Sequence, residues 1–285
     1  MERMIPVSDD VLRSSPFKTT TCAKLFGVES QGFLYVLRCI SCQFLNHFGR
    51  DFSVDTAEFD RFADEYDQVH EENIAVTGEK PEFFHEYKIK ELVRMAQDRS
   101  LRPDSILDFG SGIGNSTPYL HRYFPTATLA GAEVSQRSLD VAESRFPDMS
   151  TSLLIDGQRI PAKDNTFDIT FSACVFHHIP HEEHLHWLRE LHRVTRRGGM
   201  LAIFEHNPLN PLTVRAVNTC PFDQNARLVR AKGLVARYQE SGWKDTKVNY
   251  HLFFPHVLSA LRGLEPYLSG IPFGGQYSVT AINAN

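Results

Sequence analysis

Residues 106–114, Ile-Leu-Asp-Phe-Gly-Ser-Gly-Ile-Gly, have the residue types and spacing of a nucleotide-binding turn. An apolar run ends at an acid, Asp108, and three alternating glycines follow at Gly110, Gly112 and Gly114. A glycine turn between a strand and a helix brings backbone N–H groups against a nucleotide-like ligand. The acid at the strand end would repel a pyrophosphate but attract a cationic group. The pattern therefore favours a nucleotide-like ligand that carries an amino-acid ammonium.

Further acids stand at the ends of the next predicted strands. The second strand, residues 127–132, closes at Glu133, about 20 residues beyond the glycine turn, where an acid accepts hydrogen bonds from ribose hydroxyls. The third strand, residues 151–155, ends at Asp156, which can accept a hydrogen bond from an adenine amino group. Together the acids indicate an adenosine-like moiety, and with the ammonium they indicate S-adenosylmethionine.

Parallel strands alternating with helices must position these residues. A helix is predicted over residues 115–122, and two more apolar strands follow at residues 167–173 and 200–204. Polar or glycine residues follow all five strands, and ligands of open α/β sheets bind at those strand ends. The sequence thus predicts an α/β fold with its ligand site along one sheet edge.

The ordered succession of these stretches resembles a class I S-adenosylmethionine-dependent methyltransferase of the small-molecule, ubiquinone-biosynthesis-like type. The resemblance covers residues 105–206 and includes Gly-Ala-Glu-Val-Ser, Phe-His-His-Ile-Pro and Arg-Val-Thr-Arg-Arg-Gly-Gly. It implies that the glycine turn holds the methionine moiety, Glu133 the ribose, and Asp156 with Gln158 the adenine. The implied cofactor site comprises Tyr66, Asp108, Gly110, Ser111, Gly112, Gly114, Glu133, Val134, Asp156, Gly157, Gln158, Ala173 and Cys174.

The same resemblance implies a Rossmann-like, mostly parallel seven-stranded sheet with an antiparallel last strand and helices on both faces. The last two strands are expected at residues 247–254 and 276–283. Three regions are predicted: an N-terminal extension over residues 1–50, a helical lid over 51–104 with helices at 55–70 and 82–99, and the methyltransferase domain over 105–285. Within the lid, Tyr66 would reach the cofactor carboxylate.

Three residues at the ligand edge are candidate general bases: His178, His206 and Glu205. A base is needed only where the acceptor's proton must leave early, as from a hydroxyl group. His177 and His178 are adjacent, so only one of them is expected to face the pocket. The Pro- and Asn-rich segment 206–223 is predicted to be a loop that frames the acceptor, and its start, residues 207–211, is predicted to follow a rigid, non-helical path. Phe62, Phe176 and Phe222 are candidates either for an apolar acceptor pocket or for the core.

Two histidine- or cysteine-rich stretches could suggest a metal. The first contains His177, His178, His181, His184 and His186, and the second contains Cys22, Cys39, Cys42 and His47. Neither has the spacing of a known metal motif, and the Cys-x-x-Cys pair lies in an apolar stretch where free cysteine behaves as a small hydrophobe. The prediction is therefore that the chain has no metal site.

Composition excludes several classes of protein. The 285 residues are 42% hydrophobic and 23% charged, as in ordinary globular proteins. A net charge of −5 lacks the basic footprint of a nucleic-acid binder. An odd count of 5 cysteines disfavours a disulfide scaffold, and neither a signal peptide nor a membrane-spanning segment is evident. A cytoplasmic protein without stable membrane insertion is predicted, and the oligomeric state stays open.

The prediction is a methyltransferase acting on a small molecule, with O- or C-methylation ahead of N-methylation. The acceptor could be a sugar intermediate, a quinone-like ring or a secondary metabolite. An NAD-dependent Rossmann enzyme is an alternative, although Asn115 stands where that fingerprint needs its last glycine. A non-catalytic adaptor with the methyltransferase fold is another, because fold does not dictate function.

Overall fold

A single seven-stranded sheet organises the protein. The computed structural model describes residues 77–223 and 225–284, together with residues 71 and 74. The strands are β1 Ser105–Phe109, β2 Thr128–Glu133, β3 Thr151–Leu154, β4 Phe167–Ala173, β5 Thr195–His206, β6 Lys244–His251 and β7 Gln276–Ile282. Their order is β3-β2-β1-β4-β5-β7-β6, with β7 antiparallel to both of its neighbours and β1–β5 parallel. The predicted class I methyltransferase sheet is therefore confirmed.

Helices cover both faces of this sheet. They are α1 Pro81–Asp98, α2 Thr117–Tyr123, α3 Gln136–Arg145, α4 His184–Val194, α5 Pro211–Thr219, α6 Ala231–Glu240 and α7 Glu265–Leu268, with 3₁₀ helices at Pro221–Asp223 and His256–Leu264. No helix within the described residues is both long and apolar enough to cross a bilayer.

The core lies in two layers because successive strand residues point to opposite faces of a sheet. Ile106 packs with α1 and α2 on one face, while its neighbour Leu107 packs with α4 and α6 on the other. Both side chains are fully buried, and each such burial stabilises by roughly 1.5–3 kcal/mol. The residues of α1 that face the sheet are Ile89, Leu92, Met95 and Ala96.

Helix α1 has the bounds expected for the predicted helix at 82–99. It packs into the core beside β1, β4 and β5, and its residues Ile89 and Leu92 are fully buried. The lid role of residues 51–104 stays a prediction. The N-terminal extension 1–50 and the predicted helix 55–70 lie outside the described residues.

Strand β5 is longer than its sequence pattern predicted. Arg197-Gly198-Gly199, predicted as a turn before the strand, lies within β5 as an irregularity in its pairing with β4. Gly198 has φ of +78°, which glycine adopts without strain, and its N–H donates to Asn283 O. At the other end, Glu205 and His206 still belong to the strand and pair with Tyr277 and Gln276.

The predicted loop 206–223 contains helix α5 at its centre, whereas its start, residues 207–210, is non-helical as predicted. Asn210 is the N-cap, and its side-chain oxygen accepts hydrogen bonds from the N–H groups of Leu212 and Thr213. Pro211 occupies the first helical position, where the missing N–H costs nothing. The Asn-Pro pair is therefore a helix start, which outweighs its general association with turns.

Candidate functional site

The glycine turn after β1 is closed on one side by protein and open on the other. The N–H groups of Gly110 and Ser111 donate to Ala132 O at 2.8 and 3.2 Å. Gly110 has φ of +72°, and a Cβ there would lie 2.4 Å from a methyl of Val175. Gly112 has φ of +51°, yet a Cβ on it would meet nothing within 4 Å. The open space beside Gly112 is where a ligand would approach the turn.

Asp108 lies just before this turn with its carboxyl group only 5% exposed. Burial, together with the nearby Glu133 carboxylate, raises its pKa to about 7, although Lys88 acts in the opposite direction. A buried acid with a raised pKa gains most from a ligand that brings a positive charge. Asp108 is therefore suited to an ammonium group.

Glu133, the last residue of β2, is fixed by backbone donors. One carboxylate oxygen accepts from Val134 N at 2.7 Å and Ser135 N at 3.1 Å, and the other accepts from Gly112 N at 3.0 Å. These bonds connect the end of β2 to the glycine turn and set the direction of the carboxylate.

The residues predicted to hold adenine lie at the open end of β3. Asp156, Gly157 and Gln158 are exposed, and Gly157 has φ of +79°. Beside Asp156 lies a depression of about 590 Å³ whose walls include Ile160. Tyr66, predicted to reach the cofactor carboxylate, lies outside the described residues, and its role stays a prediction.

At the neighbouring strand ends, Glu205 organises the loop after β4. It is fully buried, and one oxygen accepts from Val175 N at 3.1 Å and Phe176 N at 2.7 Å, while the other lies 2.6 Å from His177 Nδ1. Burial raises its pKa, but His177 outweighs this and the pKa is lowered. Because all of these contacts are internal, the geometry does not support the prediction that Glu205 is the base.

The two adjacent histidines converge on one acid, Asp223. Nε2 of His177 and Nε2 of His178 each lie 3.4 Å from Asp223 Oδ1. The ring of His206 is 5.1 Å from that of His177. His177 is buried, whereas the side chain of His178 is 18% exposed. The chain turns sharply enough after Cys174, which has φ of +60°, for both rings to reach the same carboxylate.

Cys174 connects this group to the cofactor edge. Its sulfur is within 3.7 Å of Gln276 Nε2 and is hydrogen-bonded to the His206 ring. Burial raises the pKa of the thiol, but the charges of Lys88 and His206 more than offset this and bring it down to about 7. Lys88, itself 7% exposed, acts on the pKa of both Cys174 and Asp108.

The other histidines of the predicted cluster contact backbone carbonyl groups. His184 Nε2 lies 2.8 Å from Phe176 O and 3.0 Å from Ile179 O, His186 Nε2 lies 2.6 Å from Gln158 O, and His181 Nε2 lies 3.3 Å from Arg227 O. Within the described ranges, the three side chains whose ligand atoms do come together are His177, His206 and Asp223. The set Cys22, Cys39, Cys42 and His47 lies outside those ranges.

Phe176 is a core residue, which settles one of the open alternatives. Its ring is fully buried and packs 6.2 Å from Phe109 and 5.2 Å from His184. Phe62 and the side chain of Phe222 lie outside the described part of the chain.

Sequence reasoning missed Lys88, Asp223 and Gln276. Lys88 lies on α1 among core residues. Its burial becomes evident only once the structure shows which face of the helix packs on the sheet. Asp223 ends a short 3₁₀ helix without any motif. Gln276 was detectable in principle, since it opens the last strand directly opposite His206.

The comparisons with known proteins agree with this geometry. Residues 107–203 match a family described as "Methyltransferase domain". Residues 107–203 of this chain are therefore similar to a methyltransferase domain. This match includes the glycine turn, Glu133 and the His177-His178 pair.

Several relatives are methyltransferases by name. The demethylmenaquinone methyltransferase of Thermotoga maritima is 29% identical over 152 residues, which are 53% of this chain and 61% of that protein. The methyltransferase GfsG of Streptomyces halstedii is 35% identical over 34% of this chain and 36% of its own length. The ubiquinone/menaquinone biosynthesis C-methyltransferase UbiE of Desulfotalea psychrophila is 26% identical over 36% of this chain and 42% of its own. The chain thus spans roughly two-fifths to three-fifths of these relatives.

Solved structures show the same fold. An S-adenosylmethionine-dependent methyltransferase from Thermotoga maritima superposes with a TM-score of 0.55 at 17% identity, over 80% of this chain and 98% of that one. Another from Archaeoglobus fulgidus gives a TM-score of 0.51 at 15% identity, over 69% and 94%. The resemblance to class I small-molecule methyltransferases is confirmed, and S-adenosylmethionine is the cofactor of that class.

Proposed function

We propose that the protein transfers the methyl group of S-adenosylmethionine to an oxygen or ring carbon of a small acceptor, a hydroxylated and largely apolar molecule such as a reduced quinone. The observation that carries this proposal is the common sheet edge of the glycine turn, with Asp108 and Glu133, and the polar group at His178 and His206. The relatives named for demethylmenaquinone and ubiquinone/menaquinone methylation support a quinone-like acceptor.

On the cofactor side, each part of S-adenosylmethionine has a partner of matching chemistry. Asp108 would bind the ammonium group and Glu133 the ribose, while Asp156 and Gln158 would contact the adenine. Lys88 is buried beside Asp108, and we assign it to the cofactor carboxylate. This arrangement would place the sulfonium methyl near Cys174.

On the acceptor side, exposed apolar side chains lie in two segments that hydrogen-bond to each other just after β5: Asn207 Nδ2 donates to Pro272 O and Gly274 O. Leu209, Ile271 and Phe273 are exposed, with Phe273 the most so at 66%. Asn210 Nδ2 donates to Phe273 O at 2.9 Å, which links that segment to the end of β5. Exposed apolar side chains near a polar centre suit an acceptor with a hydroxyl group on an apolar body.

Correct orientation of the acceptor and the cofactor can supply much of the rate acceleration. The acceptor atom attacks the methyl in line with the departing sulfur, and well-oriented reactants are worth up to ~7–11 kcal/mol. A hydroxyl acceptor also has to lose its proton, and a positioned base contributes roughly 10²–10⁴-fold. We assign the base to His178 or His206, with Glu205 holding the loop that carries His178.

The test is thermal unfolding with S-adenosylhomocysteine, with NAD, and without ligand, followed by turnover. At about 100 times its dissociation constant a bound ligand stabilises by ~2.7 kcal/mol. We expect stabilisation by S-adenosylhomocysteine alone, and then transfer of a deuterated methyl group from labelled cofactor to a reduced short-chain quinone. Mass spectrometry detects the product, and acid hydrolysis distinguishes an O-methyl from a C-methyl. Stabilisation by NAD alone would support the dehydrogenase alternative, and stabilisation without turnover of any acceptor would support the adaptor.

A further inference from the structure

Three side chains from separate elements meet at the acceptor edge. His177 lies in the loop after β4, His206 ends β5, and Asp223 ends the 3₁₀ helix Pro221–Asp223. One ligand atom of each lies within 4.8 Å of those of the other two. The side chains of His177 and Asp223 are only 1% and 11% exposed. Two imidazoles and a carboxylate are thus collected in a confined space.

The spacing within this group suits an ion between the ligand atoms. His177 Nε2 and Asp223 Oδ1 are 3.4 Å apart. A charge-assisted N–H···O hydrogen bond would bring them to about 2.7–2.9 Å. Two ligands that bind Zn²⁺ at about 2.0–2.1 Å in tetrahedral geometry are about 3.3–3.4 Å apart. The observed separation therefore matches the edge of a coordination tetrahedron.

Glu205 supplies the support that a metal-binding histidine needs. Its Oε2 lies 2.6 Å from His177 Nδ1, so an Nδ1–H donates to this carboxylate and Nε2 is directed at Asp223, where an ion would replace the proton shared by Nε2 and Oδ1. A carboxylate behind the imidazole fixes the tautomer and increases its basicity as a ligand. Because Glu205 is itself held by Val175 N and Phe176 N, this orientation is set before any ion arrives.

We propose that His177, His206 and Asp223 bind one divalent transition-metal ion, with Zn²⁺ as the reference ion. Two histidines and one carboxylate leave coordination positions open, as in catalytic zinc sites and in non-haem iron sites. This inference rests on the proposed function: the open coordination position takes the hydroxyl oxygen of the acceptor. That position lies beside the cofactor edge, because the ligand His206 is hydrogen-bonded to Cys174.

The chemistry of this site balances without further reagents. The metal-bound hydroxyl loses its proton to solvent, and the electron pair of the broken O–H bond stays on oxygen. That pair forms the bond to the methyl group directly or, for a ring carbon, through the conjugated ring. In the second case the hydrogen of the methylated ring carbon then leaves as a proton and the oxygen regains one. The carbon–sulfur bond of the cofactor breaks with its electrons on sulfur, which yields S-adenosylhomocysteine. A Lewis acid lowers the pKa of a bound hydroxyl, so the ion itself provides the activation.

The primary experiment measures metal binding to the full chain without substrate. Chelator-treated protein is titrated with Zn²⁺ by calorimetry and with Co²⁺ by visible absorption. We expect one high-affinity equivalent and a Co²⁺ spectrum of nitrogen and oxygen ligands without a thiolate charge-transfer band. Failure to bind either ion in stoichiometric amount would overturn the proposal.

Variants locate the ion. Asp223→Asn and His206→Gln should each lose at least tenfold in affinity, and Glu205→Gln, which keeps the volume but not the charge behind His177, should lose about 10–100-fold. His181→Gln and the double variant Cys39→Ser/Cys42→Ser are matched controls that should bind normally. Affinity that survives Asp223→Asn and His206→Gln, or that disappears with the cysteines, would refute this site.

Stabilisation by S-adenosylhomocysteine, measured on every variant, shows that the domain is folded and separates the two proposals. A variant that keeps this stabilisation but not the metal has lost only the ion site. Metal binding without any response to S-adenosylhomocysteine would leave the ion site standing and refute the proposed function. The reverse result would leave the function standing and refute the ion site.

Discussion

The cofactor half of the sheet edge and its acceptor half are built in different ways. The cofactor half, formed by Asp108, Gly110, Gly112, Glu133 and Asp156, is made of residues at or just after the ends of their own strands. The acceptor half, formed by His177, His178, Glu205, His206 and Asp223, combines residues from three separate segments. In the first half, backbone conformation and N–H groups define the site, whereas in the second half side chains position one another. A substitution in the cofactor half should therefore affect only its own contacts, whereas a substitution in the acceptor half should also displace neighbouring side chains.

The largest effect is expected at Gly110. Gly110→Ala would force a side chain into a left-handed backbone and place its Cβ 2.4 Å from Val175, so we expect a stability loss of roughly 2 kcal/mol or more together with loss of cofactor binding. Gly112→Ala is the matched control, because it has positive φ but no neighbour within 4 Å. It should cost about 1–2 kcal/mol in stability while still weakening cofactor binding. Urea unfolding and calorimetry measure the two effects.

Next in size is the loss of the buried charge at Asp108. Asp108→Asn removes the partner of the cofactor ammonium, and a hydrogen bond to a charged group is worth about 1.5–3 kcal/mol, so S-adenosylhomocysteine should bind about 10–100-fold more weakly. The exposed Asp104→Asn, four residues earlier, is the control and should bind normally. Equal affinities for the two variants would mean that Asp108 does not contact the ligand.

A pH series sharpens the same point. The pKa of Asp108 is raised to about 7, first by burial and then by Glu133, and the ammonium pairs only with the ionised form. Affinity for S-adenosylhomocysteine should therefore be constant above about pH 7 and fall by up to about tenfold per pH unit below it. Calorimetry between about pH 5.5 and 7.5 measures this slope. In Asp108→Asn the slope should vanish, and a slope that persists would assign the titration to another group.

The smallest effect is expected at the histidine that supports the acceptor half without belonging to it. His184 is fully buried, and its Nε2 bonds to the carbonyl groups of Phe176 and Ile179. His184→Leu leaves both carbonyls without this donor and should cost about 1–3 kcal/mol in urea unfolding. His181→Gln, on the same segment but only half-buried, should change stability by less than about 0.5 kcal/mol. Similar losses for both would indicate that the whole segment is structurally sensitive.

Most of the cofactor half was predictable from the sequence, and physical reasons explain why. The strand, the glycine turn and the helix are consecutive in the sequence, so the spacing of Asp108 and Gly110 is enough to predict where they lie relative to one another. Glu133 was predicted in the same way, from its interval and its position after an apolar run. The seven-stranded order came instead from the resemblance, because apolar periodicity does not specify which strands are neighbours.

The acceptor half could not be predicted to the same extent, because its contacts depend on the fold. Asp223 is 45 residues beyond His178 in sequence, yet its carboxylate is 3.4 Å from that ring. Glu205 looked like a candidate base because it stands at a strand end, but only the fold shows that its oxygens bind Val175, Phe176 and His177. The helix α5 was missed because Asn210-Pro211 is compatible with both a turn and a helix start.

The carboxylate of Glu205 has a further consequence for anyone who rebuilds this enzyme. This carboxylate joins the loop after β4 to strand β5, because it accepts hydrogen bonds from two backbone N–H groups and one imidazole of that loop. A loop grafted from a relative to change substrate preference would lose this anchor wherever the grafted residues do not match the residue at position 205. The loop and the end of β5 therefore form one exchangeable unit, and libraries should vary them together.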